Sequence, residues 1–164
     1  MSYQEKKTIV SLVTGVLILA AYCIYAFNKM TALDNLKFWA STMLIFIGIG
    51  VVALIVILIV FQILLSITMA VKEEMQNREY DDKKIEKALE LDMVEDEMDK
   101  LIGLKAMRIS FAVVGIGFIA ALVSLVLNYS PAVMLNIMFV SFGIGSMVEG
   151  ITQLYFYRRG VRNG

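Results

Sequence analysis

Histidine is absent from this sequence. That absence removes imidazole-based zinc sites, Ser-His-Asp chemistry and histidine proton shuttles together. Cysteine is nearly absent. Cys23 is the single one, so no internal disulfide can form. It lies inside an apolar run, which suits a small packing residue better than a reactive thiol. Ala20, Ala21 and Tyr22 precede it, and Tyr22 is bulky where a lipoprotein cleavage site needs a small residue. Proline and tryptophan also occur once each, as Pro131 and Trp39.

Charge is missing over long stretches. Hydrophobic residues make up 59% of the 164, above the roughly 45–50% of soluble domains. The formal net charge is zero, but charges gather at both ends and in the middle. Between them lie runs about as long as the ~20 residues that cross a bilayer. The expected fold class is all-α: an integral membrane four-helix protein with a projecting cytoplasmic helical hairpin between spans 2 and 3.

The first span is expected over residues 8–27, after Lys6 and Lys7. It is longer than the apolar core of a signal peptide and lacks a convincing cleavage site, so it reads as uncleaved. A short loop with Lys29, Asp34 and Lys37 follows. Phe38 to Val71 is 34 residues without a charge. As a helix it would measure ~51 Å, against a hydrocarbon core of ~30 Å. Trp39 suits a membrane interface and marks one end. The second span is therefore placed over 38–60, with the chain leaving the membrane from Phe61. Ala106 to Leu127 is the third span. Asn128-Tyr129-Ser130-Pro131 is a tight uncharged turn, with Pro131 placed to start a helix. The fourth span is expected over 132–156, ending in the aromatic Tyr155, Phe156 and Tyr157, with Arg158, Arg159 and Arg162 beyond.

Lys and Arg distribution orients the chain. Two precede the first span, eight lie between Lys72 and Arg108, and three follow the fourth span. The first loop has two and the last turn none. Both termini and the middle segment are thus expected in the cytoplasm. A faint repeat matches Gly15, Ala20, Ala21 and Asn28 to Gly115, Ala120, Ala121 and Asn128 at constant offset, and Gly48–Gly50 echoes Gly143–Gly145. Either an axis along the membrane normal or chance among apolar residues accounts for it.

Residues 61–105 must reverse the chain. The polar Asn77 to Asp82 is the expected turn, with a pivot near Tyr80. Leu58 and Ile102 lie 22 residues on either side, which gives two matched antiparallel arms of ~33 Å, continuous with spans 2 and 3. On the second arm Leu91, Val94, Met98 and Leu101 recur at coiled-coil spacing. Glu79–Lys83 and Asp96–Lys100 are favourable i,i+4 pairs. The first arm carries Phe61, Ile63, Leu64, Leu65, Ile67 and Val71 round most of its circumference, with only Gln62 and Ser66 polar. One amphipathic partner cannot cover that surface, so self-association or a cytoplasmic protein partner is expected.

Glu149 is the only formal charge inside a span. An ionisable residue there costs roughly 2.5–3.5 kcal/mol on insertion scales. It reads either as a buried structural acid or as an element of proton or cation coupling, ligand binding or headgroup contact. Arg108, Gln62 and Ser66 are its expected polar partners. Ser141–Gly145 and Ser146–Gly150 are small-xxx-small pairs that allow close helix approach. The Gly-Ile-Gly sequences, Gly115–Gly117 included, lack the strand and lysine of a phosphate loop and read as packing features. The acidic run Glu90 to Asp99 lacks the glycine turn of a calcium loop. It disfavours anionic lipid and nucleic acid alike, and reads as a solvated face or a surface for a basic protein. No metal or cofactor spacing is visible among these residues.

In layout, two short hairpins around a charged middle segment, the chain resembles small uncharacterised four-span bacterial inner-membrane proteins. It is also loosely similar to small bacterial immunity or signalling membrane proteins. The resemblance implies a multi-pass protein of the bacterial inner membrane and brings no catalytic motif with it. The expected function is non-enzymatic, exercised through self-association or by docking a partner on the hairpin. The alternative is a small oligomeric transporter or channel-like protein that uses Glu149.

Overall fold

The computed structural model describes residues 3–29, 35–75 and 96–160. They form four helices and, among the described residues, no strand: α1 (Tyr3–Asn28), α2 (Leu36–Met75), α3 (Glu97–Val126) and α4 (Pro131–Arg159). Each is long and apolar enough to cross a membrane, α2 over Leu36–Thr68. The expected turn near Tyr80, the Glu79–Lys83 pair, Leu91, Val94 and Arg162 lie outside the described residues.

Local chemistry sets the helix ends. Asn35 starts α2: its side-chain oxygen accepts the Phe38 N–H at 3.0 Å and its carbonyl accepts the Trp39 N–H at 3.2 Å. The α3–α4 turn is a Schellman motif closed by an asparagine. Asn128 has a φ of 61°, which asparagine tolerates better than most residues. Its N–H reaches the Leu125 carbonyl, and the Tyr129 N–H reaches that of Ser124, both at 3.0 Å. Pro131 then opens α4.

The start of α3 corrects one expectation. Asp96 is extended, with φ −77° and ψ 174°. Its carboxylate accepts the Asp99 N–H at 2.6 Å, and the Asp99 carboxylate accepts the Asp96 N–H at 3.2 Å. This reciprocal capping box starts a helix at Glu97. Met98 and Leu101 therefore stand in the first two turns of a helix that starts at Glu97. The Asp96 carboxylate expected to pair with Lys100 is used in the cap.

The helix most in contact with the others is α4. It packs most extensively on α3, next on α1 and least on α2, while α2 otherwise rests on α1. Small residues let α4 approach its neighbours, as helices without a water-driven hydrophobic force require. A Cβ on Gly143 would lie 2.6 Å from Leu19 Cδ1, and one on Gly150 3.0 Å from Leu12 Cδ1. Leu12 and Leu19, two turns apart, thus pack against two glycines spaced likewise. On the α3 side, a Cβ on Gly145 would lie 2.5 Å from Val114 Cγ2, and one on Gly117 would run into Ser141. Ile102, Ala106, Ser110, Ala121 and Ser124 are the buried residues of α3. Gly48 and Gly115 face open space. Of the residues matched by the faint repeat, Ala121 is buried and Ala21 exposed, whereas Gly15 and Gly115 both face open space.

The bundle has two distinct ends. At the turn end, Tyr22, Trp39, Met43 and Ala132 form a buried cluster. Tyr22 meets Phe139 with ring centroids 4.2 Å apart and Phe46 edge-on at 5.2 Å. Trp39, expected at a membrane interface, is buried in this cluster at 1% exposure. Cys23, expected to pack, is exposed on α1. At the opposite end, here the terminal end, the first turn of α1 lies beside the last turn of α4. The buried Glu5 accepts from Arg158 Nε at 3.4 Å. Because the Arg158 side chain is 68% exposed, the pair contributes no more than ~1 kcal/mol.

Candidate functional site

A cavity of about 610 Å³ opens at the terminal end between α1, α3 and α4. It exists because α1 and α3 flank α4 and pack on it far more than on each other. Each helix contributes one stripe at helical spacing. From α1 come Gln4, Thr8, Ser11 and Gly15, with Lys7 and Leu12 beside them. From α4 come Ser146, Glu149, Gly150, Gln153 and Tyr157. From α3 come Asp99, Lys100, Gly103 and Met107.

Glu149 is half-buried in this cavity. Gln153 Nε2, one turn further along α4, donates to Glu149 Oε1 at 3.4 Å. The Thr8 hydroxyl lies 3.2 Å from Gln153 Oε1 and 2.9 Å from the Gln4 carbonyl, so one proton serves two acceptors. A polar chain thus runs from α1 across the cavity to the carboxylate. The pairings Thr8–Gln153 and Leu12–Gly150 also fix depth. Glu149 lies about level with Val13, in the terminal-end half of the first span, whereas Lys7 and Lys100 stand roughly 8–12 Å nearer the terminal end at 1.5 Å per residue.

The expected partners of Glu149 are elsewhere. Arg108 is exposed and shares a shallow surface with Phe111 and Ala112. It stands on a different face of α3 from Gly103. Gln62 is exposed and Ser66 half-buried on α2, which contributes nothing to the cavity. The stripes on α1 and α3 went unrecognised because Gln4, Thr8 and Ser11 read singly as an ordinary helix start. Their i, i+4, i+7 spacing was the signal. Among the described residues, no group of three or more Cys, Asp or Glu is placed to hold a metal ion.

The other notable surface is on α2. Beyond Trp39, Thr42 and Met43, no described side chain of α2 is buried. Phe61 meets Tyr3 with ring centroids 5.8 Å apart, so the start of α1 is level with Phe61. The helix continues through Met75, which carries it ~21 Å further. On this extension Ile63, Leu64, Ile67 and Val71 are each about half exposed. Met98, at the start of α3, is likewise exposed. The interface candidates Phe61, Leu64, Ile67 and Val71 therefore stand on one described helix, Phe61 half-buried against Tyr3 and the other three exposed.

Comparison with protein-family models, curated proteins and solved structures finds no match. Function is therefore argued from these two surfaces.

Proposed function

We propose that this is a non-enzymatic, multi-pass membrane protein that acts by self-association through α2, with both termini and the α2 extension on the cytoplasmic side. The observation that carries this is the mismatch between α2 and its surroundings. Its apolar stretch, Leu36–Thr68, is 33 residues long, or ~50 Å. Even at a tilt of 40°, a ~30 Å hydrocarbon core covers only ~26 of them. The shorter α1 ends beside Phe61, leaving Leu64, Ile67 and Val71 without a partner helix along that side among the described residues. Apolar surface of this kind outside lipid favours a protein partner.

A second copy suits the need. Two copies inserted in the same orientation are related by a two-fold axis along the membrane normal. They place identical α2 surfaces against each other, the self-complementary contact of a symmetric dimer. The uncharged run from Phe38 to Val71 offers no like-charge clash to such a pair. Cysteine crosslinking along the extension, together with purification from native membranes, tests this and separates a second copy from a different cytoplasmic partner.

The cavity favours a second reading, in which Glu149 lies on the pathway of a small oligomeric transporter or channel-like protein. Its support is a carboxylate in the terminal-end half of the bundle, joined to a polar chain that leads toward the terminal end. Flux into liposomes that is lost with Glu149→Gln supports it, and undiminished flux in that variant rejects it.

A further inference from the structure

The charges of the Glu149 cavity are ordered along its depth, and we infer that the cavity binds a small zwitterion, ammonium end inward and anionic end outward. The inference deepens the second reading by naming a ligand class, but it concerns binding and requires no transport. Among the described residues, Glu149 is the only charged one lining the inner level. Lys7 and Lys100 line the cavity nearer the terminal end. Asp99 is also there, but its carboxylate already accepts the Asp96 N–H in the α3 cap. The outer level therefore presents two ammonium groups against one carboxylate held by the backbone.

A ligand that matches this order carries a cationic group first and an anionic group last. Reversing the ligand would set like charges together at both levels, which is how a binding site rejects alternatives. The wall between the two levels combines the apolar Leu12, Leu104 and Met107 with Thr8, Ser11 and Gln153, of which Thr8 and Gln153 bond to each other. Its apolar members suit a methylene linker. The depth offset of ~8–12 Å calls for charged groups separated by several bonds, longer than in an α-amino acid. A volume of about 610 Å³ falls within the ~300–1,000 Å³ of small-molecule sites. The Gln153 amide donates to one Glu149 oxygen, which leaves acceptor capacity on the carboxylate for an ammonium group.

The probes are 6-aminohexanoate, hexylamine and hexanoate, which share a chain and differ in their charges. Binding is measured by calorimetry on the full chain in nanodiscs. The expected result is that 6-aminohexanoate binds at least tenfold tighter than either singly charged probe. Glu149→Gln should abolish its advantage over hexanoate, and Lys7→Gln with Lys100→Gln its advantage over hexylamine. Nanodiscs holding each variant with unchanged helical content keep the comparison valid, and the two sets of variants test opposite ends independently. Hexylamine binding as tightly as the zwitterion, or Glu149→Gln binding 6-aminohexanoate like the parent, overturns the inference. Absence of liposome flux with zwitterion binding retained rejects only the transport reading.

Discussion

The Tyr22 hydroxyl, on α1, donates to Asn136 Oδ1, on α4, at 2.7 Å. Tyr22 is fully buried, and Asn136 is held in turn by its Nδ2 donating to the Ala132 carbonyl at 2.8 Å. With Thr8–Gln153 and Glu5–Arg158, this makes three polar rungs between antiparallel helices. They lie in one register with the leucine–glycine contacts. In lipid such bonds average only ~0.6 kcal/mol and reach ~1.7 kcal/mol. A double-mutant cycle of Tyr22→Phe and Asn136→Leu, read by denaturation in mixed micelles, should give a coupling in that range. Tyr22→Ala should cost several times more, because it also removes the ring between Phe46 and Phe139.

Glycine substitutions should divide by location. Gly117→Ala drives a methyl group into Ser141, whose short side chain cannot swing away. It should lower the thermal midpoint and reduce folded yield. Gly145→Ala should do the same through Val114. Gly48→Ala and Gly115→Ala meet nothing within 4 Å. They should be neutral or stabilising by up to ~1 kcal/mol through helix propensity. Detergent thermal-shift assays on the four variants check this ordering.

Water access should separate two cysteines. Cys23 is exposed on an apolar helix face, which the proposed bilayer would cover. Ser146 is exposed within the polar cavity. In vesicles open to the cytoplasmic side, Ser146→Cys in a Cys23→Ser background should react with a small charged thiol reagent. Native Cys23 should react at least tenfold more slowly. Equally slow rates would mean that the cavity does not admit water from the terminal end, and equally fast rates that lipid does not cover Cys23.

Much of the fold was legible because long uncharged runs bounded by charge have few structural outcomes. Spans expected at 8–27, 38–60, 106–127 and 132–156 lie within helices α1 to α4, except that Leu127 is the residue capping α3. The asparagine turn before Pro131 was legible from its residue types. Facing was not. These helices are apolar nearly all round, so hydrophobic periodicity does not distinguish a side facing lipid from a side facing another helix. The distinction resides in small and polar residues: Gly117 against Ser141, Gly143 against Leu19, Tyr22 against Asn136. Arg108 and Glu149 illustrate the consequence. Sequence placed both toward one end of the bundle, but Arg108 stands outside the cavity that contains Glu149. Asp96 was read as a member of an ion pair, because an N-cap aspartate and a mid-helix aspartate look alike inside an acidic run.

The central claim is that the apolar extension of α2 pairs with a second copy. Leu64, Ile67 and Val71 lie within ~60° of one another around the helix, and Gln62 stands ~160° from Leu64 at 100° per residue. The direct measurement is oxidative crosslinking in native membranes of single-cysteine variants at these four positions, all in Cys23→Ser. The account predicts covalent dimers at Leu64→Cys, Ile67→Cys and Val71→Cys, at least fivefold more than at Gln62→Cys. No dimer at any of the three, equal dimer at Gln62→Cys, or a crosslink only to a different protein would contradict it.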